Sequence, residues 1–336
     1  MNQNIQRLID KALSETPLSK DDVVTLLSVP DYSEEAFAMR SAAAHGMRSR
    51  TNNAAAIFGQ IGFEMHPCSA NCQFCSFAAD YTCLSGVKLT DEEIVAATRN
   101  FTGRGDLYGL YLMMMADYRI DEFLEKVALV KANVTGPTKI ISNVGDSSVE
   151  DFRRMKEAGV DAVYHCWRLG EGEVTPFSAE ERKQTMRNAK EAGLDIMDAV
   201  EPIGPEHTNE ELAEHILFSI ELGSIQSGCM KRTPVPGTPF ADRGTITDFR
   251  LSHIVAVQAL ANIAARNIPI LGIHEYTPMG YISGANMITA ETGVNPRDTA
   301  EETSQSRGLD IPTCREFMRQ CGFTKLMLGD DTLIDL

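Results

Sequence analysis

Residues 54–75 read Ala54-Ala-Ala-Ile-Phe-Gly-Gln-Ile-Gly-Phe63, then Glu64 and Met65, then His66-Pro-Cys-Ser-Ala-Asn-Cys-Gln-Phe-Cys75. The apolar run predicts a buried strand, placed at 57–65, and buried strands of this kind belong to sheets covered on both faces. Directly after it, Cys68, Cys72 and Cys75 stand in a C-x3-C-x2-C spacing. Thiolates so spaced point to iron–sulfur ligation, and a [4Fe–4S] cube takes four of them. Three close ligands leave one iron open to bind a small molecule and pass it an electron. Read from the residues alone, a structural zinc site is the alternative. Zinc wants four N or S ligands, commonly as two separated pairs. His66 is the candidate fourth ligand, but only two residues from Cys68 it is cramped for a tetrahedron.

Outward from this stretch, strand-like runs alternate with amphipathic helices. Further strands are predicted at 107–114, 138–142, 162–166, 195–201, 224–230, 269–273 and 285–289. Helices are predicted to start near Thr90, Arg119, Ser148, Ser178, Asn209, Asp248 and Pro312. Thr90-Asp-Glu-Glu93 and Ser178-Ala-Glu-Glu181 are capping boxes. Lys156-Glu-Ala-Gly159 and Lys190-Glu-Ala-Gly193 repeat one helix-ending phrase, each leading into a strand. Eight such units predict an α/β fold, a TIM-type (β/α)8 barrel, full or nearly full, with its chemistry at the C-terminal strand ends. A partial barrel of six units is the alternative. Residues 1–50 show helical spacing at Ile5, Leu8, Ile9 and Leu13 and are expected to form an N-terminal helical cap, with 51–336 as the barrel.

The chain has 336 residues, 43% hydrophobic, with a net charge of −16. That is ample for one large core. The acidic balance and the lack of a Lys/Arg block exclude a nucleic-acid backbone footprint. No apolar run spans a bilayer, and residues 1–7 lack a signal-peptide core, so the expectation is a cytoplasmic protein off the membrane. Eight cysteines there point to metal ligands or buried thiols rather than disulfides. Oligomeric state does not follow.

The cysteine triplet, its place after a first strand and the aromatic Phe74 before Cys75 resemble the signature of the radical S-adenosylmethionine (SAM) superfamily. Further matches run in order along 50–325: Tyr164-His-Cys-Trp-Arg-Leu-Gly-Glu-Gly172, Glu181-Arg182, Glu201-Pro-Ile-Gly204, Gly237-Thr-Pro-Phe-Ala-Asp242 and Gly284-Ala-Asn286. Together they are similar to the biotin synthase-like group, which includes iron–iron hydrogenase maturase and methylornithine synthase relatives. The resemblance implies a [4Fe–4S] cluster on Cys68, Cys72 and Cys75 whose open iron chelates the amino and carboxylate groups of SAM. It implies reductive cleavage of SAM to a 5′-deoxyadenosyl radical that takes hydrogen from a small-molecule substrate, in cofactor or vitamin biosynthesis, in an anaerobic setting. A one-electron reductant such as flavodoxin or ferredoxin is implied as partner. Candidate SAM-binding residues are Phe74, Tyr164, Arg168, Glu171, Arg182 and Glu201. A guanidinium fork suits a carboxylate, which favours Arg182 or Arg168 for that end of SAM.

Two departures from the group stand out. The Gly-Gly-Glu-type segment that meets the SAM amino group is replaced by Tyr111-Leu-Met-Met-Met-Ala-Asp117, and the cysteines and arginine of the usual [2Fe–2S] sulfur-donor site are missing. Cys83, Cys166 and Cys229 are candidates for a differently built auxiliary iron–sulfur cluster, which would allow sulfur insertion. Cys314 and Cys321 are expected in the core. His274, Glu275 and Tyr276 end a predicted strand and are candidate substrate contacts. A non-catalytic metal-cluster scaffold or carrier is the remaining alternative.

Overall fold

The computed structural model describes residues 2–82, 86–292 and 309–336. Strand β1 (Ala54–Gly62) is buried along its whole length, because it has sheet neighbours on both edges and packed layers on both faces. It pairs in parallel with β2 (Gly109–Met113) on one side and with β8 (Met287–Thr292) on the other. Between them run β3 (Lys139–Asn143), β4 (Ala162–Tyr164), β5 (Asp195–Met197), β6 (Gln226–Lys231) and β7 (Ile270–Ile273), each parallel to its neighbour. The β8–β1 ladder, with Ile57 opposite Ile288, closes the ring. The fold is therefore a complete eight-stranded TIM-type barrel, and the six-unit alternative falls away.

All eight predicted strands exist, with shifted ends. The predicted strand at 195–201 splits, because a second short strand, Val200–Ile203, continues alongside β6 with a register shift. At the break the Asp198 N–H still bonds Gln226 O, while its side chain is taken by Ser219. Helices α1 (Gln3–Leu13), α2 (Lys20–Leu27) and α3 (Glu34–Arg50) precede the barrel. On its outside lie α4 (Asp91–Thr102), α5 (Ile120–Lys131), α6 (Val149–Ala158), α7 (Ala179–Glu191), α8 (Asn209–Leu222) and α9 (Asp248–Ala265). A short helix not foreseen from the sequence, α10 (Pro278–Tyr281), joins β7 to β8, and α11 (Ile311–Gln320) follows.

Both predicted capping boxes form, at Thr90/Glu93 and Ser178/Glu181. Gly159 ends α6 at φ 102°, left-handed backbone that a side chain would strain. Helix α9 is buried all round from Leu251 to Ala264. The reason is a second layer: α1, α2 and α3 pack on its outer side. Arg40 Nε donates to Ser252 Oγ at 3.0 Å, and His253 Nε2 lies 2.9 Å from Leu26 O.

At the N-terminal ends of the strands, Lys325–Met327 pairs beside the start of β1 and turns back through Leu333–Asp335. Below the mouth the barrel interior is filled by Phe58, Tyr108, Tyr111, Met197, Met287 and Met327. The opening is thus confined to the C-terminal end. No described helix is long and apolar enough to cross a membrane.

Candidate active site

The C-terminal strand ends surround a cavity of about 210 Å³. Its first wall is the loop after β1. Cys68 N–H donates to Phe77 O at 2.6 Å, Ala79 N–H to Cys68 O at 3.1 Å and Cys75 N–H to Cys72 O at 3.0 Å. Asn71 takes a left-handed φ of 49°, and its side-chain amide clasps Asp80 through two 2.9 Å bonds. The loop is also tied to its neighbours: Gln73 N–H donates to Val174 O, and Phe240 N–H to Gln73 O. These ties hold Cys68, Cys72, Phe74 and Cys75 on the cavity.

Burial pushes all three thiols up, Cys75 to about 12; at Cys72 the charges of Arg168 and Arg182 oppose it. Free thiols stay protonated here, and a metal must displace the proton to bind. The donor set fits a cube with three cysteine ligands and fits zinc poorly. His66, the candidate fourth zinc ligand, turns its Nε2 to within 3.4 Å of Asp117 and its Nδ1 to 3.2 Å from Pro67 O. Among the described residues no three His, Cys, Asp or Glu side chains, the cysteine triplet included, are already drawn together around one metal position.

The second wall is charged and comes from the ends of β3, β4 and β5 and from α7. Arg168 Nε donates to Glu201 Oε1 at 3.1 Å, and Tyr164 OH to Glu201 Oε2 at 3.3 Å. The terminal amino groups of Arg168 hydrogen-bond no described residue, so a fork remains for a carboxylate. Arg182 is 4% exposed along its side chain and donates to Glu171 Oε1 at 3.2 Å and Asp146 Oδ2 at 2.7 Å, with its guanidinium 3.7 Å from the Phe177 ring centre. Burial pushes the Glu171 carboxyl up to about 7, against the pull of Arg182 and Arg168. Its Oε2 is buried with no hydrogen-bond partner among the described residues. Behind Arg182 and off the cavity, this carboxyl holds the guanidinium in place. At Asp146, burial works to raise the carboxyl, but the His165 hydrogen bond and the Arg182 charge outweigh it and hold it well below the usual range.

The third wall carries His274, with Nε2 2.6 Å from Glu291 Oε1, and Thr289. Tyr276 OH donates to Thr289 O at 2.9 Å. The rest is soft: Met113, Met115, Met230 and Met287 line the cavity between these groups.

The structure thus brings Cys68, Cys72, Cys75, Phe74, Tyr164, Arg168, Arg182, Glu201 and His274 to one cavity. Glu171 stands behind Arg182. Glu275 and Tyr276 do not line the cavity; the charge of Glu275 bears on Cys229 and Tyr281 behind the strands. Cys166 packs on Ala199 and Met230, whereas Cys229 donates to Gln258 of α9 in the outer layer, so the two share no site. Cys83 lies outside the described residues. Cys314 is fully buried, and Cys321 is half-buried against the core. Sequence reasoning passed over Asp146, Gln60, Gln226 and Glu291. Asp146 reads as a helix-start residue in Gly145-Asp-Ser-Ser148, and Glu291 falls two residues past the predicted strand. Gly145 itself is required: a Cβ there would sit 2.0 Å from Ala116 O.

Residues 65–219 match the family model described as the radical SAM superfamily. A biotin synthase of Sulfurihydrogenibium sp. is 22% identical over 269 residues, 77% of this chain and 79% of that protein. Among solved structures, the FeFe-hydrogenase maturase HydG from Carboxydothermus hydrogenoformans superposes with a TM-score of 0.79 at 19% identity, over 95% of this chain and 78% of that one. Methylornithine synthase (PylB) superposes with a TM-score of 0.76 at 20% identity, over 94% and 96%.

Proposed function

We propose that this chain, similar in residues 65–219 to the radical SAM superfamily and along most of its length to biotin synthases, is a radical SAM enzyme in which Cys68, Cys72 and Cys75 hold a [4Fe–4S] cluster while the charged wall holds SAM. When bound, the cluster would supply one electron for cleavage of SAM to methionine and a 5′-deoxyadenosyl radical, which would take hydrogen from a small molecule of cofactor or vitamin biosynthesis. The residues of this chain do the binding and the exclusion. The free fork of Arg168 takes the SAM carboxylate, with Glu201 and Tyr164 fixing that fork. Arg182 and Glu171 complete the charge balance beside it, and Phe74 walls the cluster side. His274 on the opposite wall meets the substrate, with Tyr276 bracing the strand end beside it. The methionines and the closed barrel floor keep water and stray hydrogen donors away from the reacting carbon. Flavodoxin or ferredoxin supplies the electron.

The observation that carries this reading is the placement of three thiols from one loop and the Arg168–Glu201 pair on the same cavity at the barrel mouth. Sulfur insertion has no comparable support, since Cys166 and Cys229 lie apart. Anaerobic reconstitution with iron and sulfide tests the proposal. About four irons per chain and 5′-deoxyadenosine formation with dithionite and SAM are expected, both lost in a Cys68/Cys72/Cys75→Ala triple variant. Iron without SAM cleavage would leave the scaffold reading in its place; well over four irons would restore sulfur insertion.

A further inference from the structure

His165 stands between two openings. Its ring lines the mouth cavity, while Asp146, 3.0 Å from its Nε2, lines a separate polar groove on the outside with Ser148, Thr185 and Asn188. The carboxylate is fixed there by Thr185 Oγ1 and Arg182 Nη1, each at 2.7 Å. Arg182 Nη1 also lies 3.3 Å from Nε2, but it has only protons to offer. The Asp146 carboxylate, 0.3 Å nearer than Arg182 Nη1, can only accept, so the Nε2 proton is assigned toward it, which leaves Nδ1 as the lone-pair nitrogen. Nδ1 hydrogen-bonds no described residue. Burial pushes the imidazole below its usual range; Asp146 pulls the other way, and Arg182 and Arg168 add to the depression. The charged groups around the ring are thus Asp146 from the loop after β3, Arg168 from the loop after β4, and Arg182 of α7 with its partner Glu171.

An amine binds a metal through its lone pair, so an ammonium must first lose a proton. An α-amino group titrates at about 8, so near neutral pH SAM arrives mostly as the ammonium. Resting on the SAM site proposed above, we infer that His165, oriented by Asp146, takes this proton as SAM binds and passes it to water in the outer groove. The ammonium N–H bond breaks and an N–H bond forms at Nδ1. The Nε2 proton leaves over Asp146 to the groove, the reverse transfer as the product amine leaves restores the ring, and no electron changes hands. Asp146, held well below the carboxylate range, transmits the proton rather than keeping it. Loading of SAM in a cavity with a sealed floor then needs no water beside the cluster.

The test is anaerobic stopped-flow mixing of the reconstituted protein with SAM, following the cluster absorbance and a pH-indicator dye, from pH 6.5 to 9. The wild type releases about one proton per SAM bound at the acid end. His165→Gln is expected to slow SAM association about tenfold or more at pH 6.5. It should match the wild type at pH 9, where the amine arrives neutral. Asp146→Asn gives the same pattern, and Asp146→Glu restores most of the rate. Equal rates for His165→Gln and wild type at every pH overturn the inference. A slowing that is the same at every pH overturns it too, because it marks a purely structural role. In cluster-free protein, 15N imidazole spectra should show the Nε2-protonated ring and its loss in Asp146→Asn; an Nδ1-protonated wild-type ring also overturns it. A wild type that binds no SAM defeats the proposed function itself, which is a separate result.

Discussion

The two faces of the same barrel strands have opposite fates. On β6, Met230 faces the mouth cavity while Cys229, its neighbour, points into the helix layer and donates to Gln258. At the end of β5, Met197 fills the barrel interior, while Asp198, the next residue, turns outward to Ser219 of α8. After β7, His274 lines the cavity and Glu275 does not. Side chains alternate with a period of two, so one residue of register decides whether a reactive group meets substrate or is sealed as structure. Residue type is no guide. Cys72 and Cys229 are the same thiol, and burial raises both, yet only Cys72 opens onto the cavity.

The comparison can be broken at either face. The largest effect is expected from Cys72→Ala, which should abolish stable cluster loading and cut 5′-deoxyadenosine formation by about 1,000-fold or more; iron content and chromatographic assay check it. On the outer face, Asp198 is the sharper test. Burial pushes its carboxyl up from 3.8 to about 7, against the hydrogen bond from Ser219, with the charge of Glu201 adding to the rise. The folded state therefore favours the neutral acid. Its contribution is fully present below its ordinary value and is lost as pH rises through about 7. Asp198→Asn should remove that loss, worth on the order of 4 kcal/mol by pH 8, in urea melts at a series of pH values. A wild type and variant with parallel pH profiles would show that this carboxyl ionises freely.

Back on the inner face, Arg168→Lys keeps the charge but loses the fork, and should weaken SAM binding about tenfold in equilibrium dialysis. The smallest effect belongs to Cys229→Ala. It should leave iron content and SAM cleavage unchanged and cost about 1–2 kcal/mol of stability, from the lost packing and the unpaired Gln258. Loss of iron in that variant would place Cys229 in a metal site and erase the contrast between the faces.

Much of this was legible in the residues. The run at 54–63, the cysteine spacing and the capping boxes are local signals, set by side-chain period, ligand chemistry and turn backbone, and they survive without tertiary context. They carried the barrel, the thiol triplet and the helix starts. Arg168 and Glu201 were also nameable, because each lies near the C-terminal end of a predicted strand and belongs to a run that resembles the family, and barrel chemistry concentrates there. What the sequence left open was direction. Cys166, Cys229 and Glu275 sit at strand ends as Tyr164 and His274 do, and no local signal tells which way such a residue faces once a ladder shifts or a strand stops. Asp146 and Glu291 were missed because their roles exist only through partners far along the chain: Arg182 and His165 for one, His274 for the other. Spacing alone determined that three thiols gather on one loop. Closure of the ring decided which charged groups they meet, because strands that are neighbours in space hold partners dozens of residues apart in the chain.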